Sequence, residues 1–270
     1  NEAAFLYQLL VRRFGTNNLP DCSNMCHESS GVALTQAIGI GKGSVTLDDL
    51  HHAELILVVG QNPGTNHPRM LSALERAKQA GAAIVAVNPL AEAGLTRFKN
   101  PQRARGVLGD GTALADLHLP VRVGADLALF QWWNRRLLEL DAERGGGVID
   151  RAFVDDRCDG FDALAGHLRA LDPDELLAAT GVDEVDAEAV ARLLADRKQI
   201  VICWAMGITQ HRHSVATIQE MANTVLLRGA IGIAGAGLCP VRGHSNVQGD
   251  RTMGIAEKPS AAFLDDPSAT

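Results

Sequence analysis

One polar stretch of the chain, residues 16–31, contains two cysteines and a histidine that could do chemistry. Cys26 is followed directly by His27. A cysteine thiolate is a soft ligand for transition metals, and a histidine exchanges protons near neutral pH. Three residues separate Cys22 from Cys26 and no second pair accompanies them, so the spacing does not match a structural zinc site. From the residues alone, Cys26 is either a buried free thiol or a metal ligand.

A second group of polar residues forms three loops, and each loop follows an apolar run; the loops are 60–68, 88–89 and 206–211. In open α/β sheets, ligands bind beyond the carboxyl ends of the strands, where the free N–H groups of helix N-termini favour anions. Each loop taken singly is equally consistent with a turn that only connects a strand to a helix. Three such loops at one edge of a sheet favour a site for a phosphate or a nucleotide.

The common nucleotide fingerprints are absent from these loops. No G-x-G-x-x-G opens a helix after a strand. Residues 39–44 superficially resemble a phosphate loop but lack its spacing, and residues 232–237 follow a helix rather than beginning one. We therefore interpret both segments as ordinary loops.

The elements that would position the polar loops are predicted from apolar periodicity. Continuous apolar runs predict buried strands at 55–59 and 83–87, and further strands are predicted at 115–121 and 199–204. Helical spacing predicts helices at 68–80, 126–140 and 214–227. Strands that are apolar on both faces and joined by helices imply a parallel sheet with right-handed crossovers. The predicted fold is α/β, a doubly wound and mostly parallel sheet with helices on both faces, flanked by pieces of a second α/β domain.

The remaining segments are simpler. A helix is predicted over 3–14 with Gly15 as its terminator, followed by an irregular loop over 16–31. Two or three helices with acidic first turns are predicted over 150–197. The glycine run at 145–147 is expected to be a surface linker.

Composition excludes several classes of protein. With 46% hydrophobic and 21% charged residues, the 270-residue chain is expected to be globular. A net charge of −7 argues against a nucleic-acid partner, and the apolar runs are too short to span a membrane. The odd number of cysteines, five, favours reduced thiols and a cytoplasmic location. The chain begins without Met or a basic leader, so we expect an internal fragment of a longer protein.

Four segments, taken together and in this order, resemble the molybdopterin oxidoreductases, specifically the formate dehydrogenase-like alpha subunits. They are DCSNMCHESSG at 21–31, VGQN at 59–62 with HP at 67–68, MGITQH at 206–211 and PVRGHSNVQG at 240–249. The resemblance implies that Cys26 ligates molybdenum or tungsten, that His27 relays a proton and that Arg242 faces the same metal and orients a carboxylate through two parallel hydrogen bonds. These three residues are the predicted catalytic group.

The resemblance also implies a bis(molybdopterin guanine dinucleotide) cofactor and a 4Fe-4S cluster held upstream of residue 1. The cofactor-binding residues that it implies are Gly60, Asn62, His67, Asn88, Pro89, Gly124, Asp126, Met206, Gly207, Thr209, Gln210 and Gly243. Many relatives have aspartate at the position of Asn88, and the loop 24–30 differs from that of the better-known formate enzymes. The ribose contact of Asn88 and the identity of the substrate therefore stay open.

The sequence thus predicts a molybdopterin-dependent oxidoreductase that removes two electrons from a small carboxylate or oxyanion, formate being the first candidate. The predicted domains are an edge of a neighbouring α/β domain at 1–21, the cofactor-binding domain at 22–240 and a return into the neighbouring domain at 241–270. The fragment alone is expected to be inactive, and the electron-transfer partner is not identified. Two alternatives are a nucleotide-binding regulatory or assembly module without redox chemistry and a thiol- or flavin-based redox domain.

Overall fold

The computed structural model describes residues 1–244 and 246–256. Its helices are α1 Glu2–Arg13, α2 Ser23–Cys26, α3 Glu28–Ile38, α4 Leu47–His52, α5 Pro63–Asn66, α6 Pro68–Gln79, α7 Ala93–Thr96, α8 Ala104–Leu108, α9 Asp126–Arg144, α10 Arg151–Arg157, α11 Phe161–Ala170, α12 Pro173–Thr180, α13 Glu184–Asp196, α14 Met206–Thr209, α15 Ser214–Leu227 and α16 Val247–Thr252. Its strands are β1 Leu55–Val59, β2 Ala83–Val87, β3 Leu117–Leu119, β4 Ile200–Trp204 and β5 Gly237–Pro240.

The strands form one parallel sheet in the order β3-β2-β1-β4-β5. The central strand β1 pairs in register with β2 on one side and β4 on the other, so that Leu55 lies opposite Ala83 and Ile200. All five residues of β1 and of β4 are buried, as expected for strands covered on both faces. The predicted α/β fold with a parallel sheet is confirmed.

Helices cover both faces of this sheet. Alternate residues of β1 belong to two separate apolar clusters: Leu57 is in one cluster with Trp133 of α9, and Val58 is in the other with Leu74 of α6. Alternation follows from the pleat of a strand, which directs successive side chains to opposite faces. Because both faces are apolar, the sheet is held in the interior and only its loops reach ligands.

Several predicted elements differ from the observed ones. The segment 16–31 is not an irregular loop throughout, because it contains α2 and the beginning of α3. Its Asn, Ser and Asp residues lower helix propensity in isolation, but Ala33 and Leu34 of α3 are completely buried, and such packing overrides propensity. The region 150–197 contains four helices rather than two or three, and α9 extends to Arg144 and ends at Gly145 in the left-handed conformation.

Strand β5 is absent from the sequence-based prediction. Its residues, Gly237–Pro240, include a glycine and a proline, which are depleted in strands. The strand lies at the edge of the sheet, where proline is tolerated because its missing N–H is not needed by a further strand. The predicted loop at 39–44 contains no helix or strand, whereas the predicted loop at 232–237 ends one residue earlier because Gly237 begins β5.

The chain divides into two compact units. The first consists of residues 1–28 and 242–270, and its described helices include α1, α2 and α16; the second, residues 29–241, contains the whole sheet. Ser245 and residues 257–270, which belong to the predicted segment 241–270, lie outside the described residues. The predicted domain boundaries at 21/22 and 240/241 stay a prediction. Within the described part of the chain, no helix is long and apolar enough to cross a membrane.

Candidate cofactor site

The chain continues from β1 to β2 and β3 on one side of the sheet and returns to β4 on the other. Such a switch point leaves a crevice between the carboxyl ends of two strands, where open α/β sheets bind ligands. Here the switch point lies between the loops after β1 and β4, which contain Gly60 and Gly207, two of the predicted cofactor-binding residues. The backbone N–H of Gly207 donates a hydrogen bond to the carbonyl oxygen of Gly60 over 3.0 Å.

Glycine is required on both sides of this contact. Gly60 has a φ of +56°, and a Cβ placed on it would lie 2.8 Å from the carbonyl carbon of Gly207. A Cβ on Gly207 would in turn overlap the backbone of Gly60, with its Cα at 2.7 Å. The two loops therefore approach each other backbone to backbone at the switch point, with no side chain between them.

Gln61 follows Gly60 and is 2% exposed. Its side-chain amide nitrogen lies 3.2 Å from Nδ1 of His67 and also contacts the sulfur of Met70. Its side-chain oxygen has no hydrogen-bond partner among the described residues. A buried acceptor without a donor costs about 1–3 kcal/mol, and a donor from a bound ligand would remove that cost.

The loops after β1 and β2 are joined by a residue that the sequence analysis missed, Glu92. Its carboxylate accepts a hydrogen bond from Asn62 at 2.5 Å and one from Asn88 at 2.9 Å. The Asn62 oxygen also accepts from the backbone N–H of Thr65 at 3.0 Å and caps α5. Dinucleotide-binding folds often carry an acid after the second strand to bind ribose, and that position would have been the signal for Glu92.

The loop before α9 reaches the loop after β4. A Cβ on Gly124 would lie 3.8 Å from Nδ1 of His211. Asp126 begins α9 and is 6% exposed. Burial raises the pKa of Asp126, while its own backbone N–H and the nearby His211 act in the opposite direction. The structure thus brings the predicted Gly124 and Asp126 close to the segment that contains Met206, Gly207 and Gln210.

Helix α14 carries most of the remaining predicted residues. Met206, Gly207 and Gln210 are exposed, whereas Thr209 is buried and its carbonyl oxygen accepts a hydrogen bond from the Ser29 hydroxyl over 3.3 Å. Pro89 is exposed after β2. Trp204, the last residue of β4 before α14, is held by a hydrogen bond from its indole N–H to the Ser30 hydroxyl over 3.0 Å.

The predicted catalytic residues all belong to the first unit. Cys26 ends α2 and is 7% exposed, and His27 is 3% exposed. Arg242 is half-buried, and among the described residues its guanidinium has no hydrogen-bond or ion-pair partner; Gly243 beside it is exposed. No group of three or more His, Cys, Asp or Glu side chains in the described ranges is arranged to hold a metal ion. The roles predicted for these residues stay predictions.

Known proteins are similar to this chain over nearly its whole length. An uncharacterized oxidoreductase of Mycobacterium bovis is 61% identical over 264 residues, which are 98% of this chain and 34% of that relative. Protein YdeP of Escherichia coli is 46% identical over 98% of this chain and 35% of that relative, and formate dehydrogenase H of Escherichia coli is 29% identical over 99% and 35%. The chain therefore spans about a third of the length of the curated relatives it matches.

A solved structure shares the fold of this chain, and a family model matches most of its residues. Acetylene hydratase from Pelobacter acetylenicus superposes with a TM-score of 0.67 over 87% of this chain and 29% of that chain, at 19% sequence identity, so it shares the fold. The family model described as molybdopterin oxidoreductase matches residues 1–258, which include both glycine loops and the Cys26 segment. The chain belongs to the molybdopterin oxidoreductase family.

Proposed function

We propose that this chain is the cofactor-binding core of an enzyme that oxidises a small carboxylate or oxyanion by two electrons at a bis(molybdopterin guanine dinucleotide) centre of molybdenum or tungsten. Formate is the first substrate to test. The observation that carries the proposal is the contact of Gly60 with Gly207 at the switch point of the sheet. Membership of the family suggests that the ligand bound at this switch point is a pterin cofactor.

Residues on the loops after β1, β2 and β4 support the proposal of a pterin nucleotide at this edge of the sheet. A pyrophosphate would bind beside the loops that carry Gly60 and Gly207, at the switch point of the sheet, and the side-chain oxygen of Gln61, which has no partner among the described residues, would accept one ligand N–H. Guanine offers N–H donors at one edge, for which the buried carboxyl group of Asp126 is a suitable acceptor. The pair Asn62 and Asn88, held by Glu92, would bind ribose hydroxyl groups.

Three side chains would act on the substrate. A deprotonated Cys26 would ligate the metal, since thiolates suit soft and sulfur-coordinated centres. Arg242 would bind a carboxylate through two parallel N–H donors. His27 would accept the proton that formate oxidation releases. When bound, the metal cofactor supplies the capacity to take up two electrons, and a 4Fe-4S cluster in the longer protein would pass them on.

Metal and pterin analysis of the full-length protein tests the proposal. The protein would be purified anaerobically from cells supplied with molybdate or tungstate and assayed for formate-dependent dye reduction. We expect about one metal ion and two pterin guanine dinucleotides per chain, as one bis(pterin) centre requires. A folded sample without metal and pterin would overturn the proposal and leave a nucleotide-binding module. Loaded protein that fails to oxidise formate would exclude formate and keep the cofactor.

A further inference from the structure

The side chain of Arg251 joins two segments of the first unit that are far apart in sequence. Its Nε donates to the Asp21 carboxylate over 2.6 Å, and its Nη2 donates to the Asn24 side-chain oxygen over 3.2 Å. Its Nη1 lies 3.6 Å from the Glu28 carboxylate. One guanidinium on α16 thus holds three side chains that lie before, within and after α2, the helix that ends at Cys26.

The energetics of this cluster centre on Asp21. The Asp21 side chain is only 5% exposed, whereas that of Arg251 is 36% exposed and that of Glu28 is 48% exposed. A buried carboxylate is stable in its charged form only when it is paired and hydrogen-bonded. The contact to Glu28 is longer and solvent-screened, so it contributes little. Of the three contacts, the bond to Asp21 therefore contributes most to anchoring the segment.

The arrangement has a geometric reason to involve arginine. A planar guanidinium directs its N–H groups outward at fixed angles, so it can satisfy Asp21, Asn24 and Glu28 at once, whereas an ammonium group is a point charge. Helix α2 has four residues, too few to be stable by itself. Contacts with other segments must therefore fix its position, and Arg251, which is 230 residues from Asp21 in sequence, supplies such contacts.

We infer that Arg251 is a positioning residue for Cys26: it holds α2 so that the thiol stays covered and at a fixed place. Only the catalytic consequence of this inference rests on the proposed function, in which Cys26 ligates the metal. The positional claim concerns the protein alone, and it is measurable without metal.

The first test is the rate at which iodoacetamide alkylates Cys26 in the metal-free full-length protein, followed by peptide mapping. Because Arg251 is partly screened by solvent, we expect Arg251→Ala to raise that rate by about tenfold, less than for a fully buried pair. Arg251→Lys should restore part of the protection, since it keeps the charge beside Asp21 but loses the second and third contacts. An unchanged Cys26 rate in Arg251→Ala would overturn the inference.

Two controls separate positioning from loss of the fold. Arg157→Ala removes an arginine paired with Asp156 at an exposed site of the second unit, and it should leave the Cys26 rate unchanged. Cys203 is completely buried in β4, so its alkylation reports unfolding of the sheet. If Arg251→Ala exposes Cys26 and Cys203 equally, the effect is global and the positioning role is refuted. The more conservative Asp21→Asn keeps the shape of the contact and should raise the Cys26 rate with Cys203 still protected.

The catalytic consequence is tested in the loaded enzyme. Displacement of Cys26 should lower kcat for formate in Arg251→Ala with little change in KM, because Arg242 is untouched, and Arg251→Lys should recover part of kcat. A rise in KM as large as the fall in kcat, or no recovery of kcat in Arg251→Lys, would count against a positioning role. If the full-length protein carries no metal, the proposed function fails while the alkylation result still decides the role of Arg251.

Discussion

Replacing Gly207 with alanine tests whether the two loops at the switch point must approach as closely as they do. The added Cβ would overlap the carbonyl oxygen of Gly60 and lie 2.7 Å from its Cα, and both are backbone atoms that cannot rotate away. The loops would have to separate, which breaks the 3.0 Å hydrogen bond from Gly207 to Gly60. Overpacking of this kind costs about 1–3 kcal/mol in the free energy of unfolding.

Gly60→Ala should cost more than Gly207→Ala. The Gly60 backbone has a φ of +56°, a left-handed conformation that costs a residue with a Cβ about 1–2 kcal/mol in addition to the clash. Gly166→Ala is the matched control, because Gly166 lies inside α11 with nothing within 4 Å of an added Cβ. That control should stabilise the protein by about 0.5–1 kcal/mol, since alanine favours a helix interior over glycine.

The assay is thermal unfolding of the full-length protein together with its pterin content per chain. A loss of 1–3 kcal/mol lowers Tm by roughly 2–4 °C for each kcal/mol in a domain of this size. Both switch-point variants should also lose pterin, whereas Gly166→Ala should retain it. Wild-type Tm and wild-type pterin content in Gly207→Ala would refute the close contact and its role in cofactor binding.

Further predictions concern charge and chemistry. Burial raises the pKa of Asp126, so folding should become less favourable as the pH rises above the ordinary range of a carboxyl group; Asp126→Asn should therefore raise the unfolding free energy at pH 7 while lowering pterin content. Hydrogen bonding to Arg136 lowers the pKa of Glu188, so this pair stabilises the fold above about pH 4.5 and is lost as the pH falls; Arg136→Ala should flatten the acid limb of a stability–pH profile, and an unchanged limb would contradict the pairing. Cys26→Ala should abolish turnover while leaving the fold intact, and retained turnover would remove Cys26 from the chemistry. Arg242→Lys should raise KM for formate more than it lowers kcat, because an ammonium group cannot donate two parallel hydrogen bonds; unchanged KM would argue against carboxylate binding.

Elements that depend on neighbouring residues were predicted from the sequence, whereas elements that depend on distant partners were not. Apolar runs at 55–59, 83–87 and 199–204 predicted three central strands within a residue of their observed ends, because a strand buried on both faces needs every residue apolar. The same logic failed for the edge strand Gly237–Pro240, which forms because β4 offers it a partner. Helix α3 was missed because its polar residues hide an apolar side, which only packing makes evident.

The sequence by itself determined the parallel α/β fold and the places of the loops after β1, β2 and β4, since burial on both faces and turn chemistry are written in neighbouring residues. Only the tertiary structure decided which side chains meet. Glu92 joins Asn62 and Asn88 from two loops, Gly60 touches Gly207, and Arg251 reaches Asp21 across 230 residues. Such contacts depend on the order of the strands and on the packing of segments that are distant in sequence. The local spacing of residues predicts neither of these.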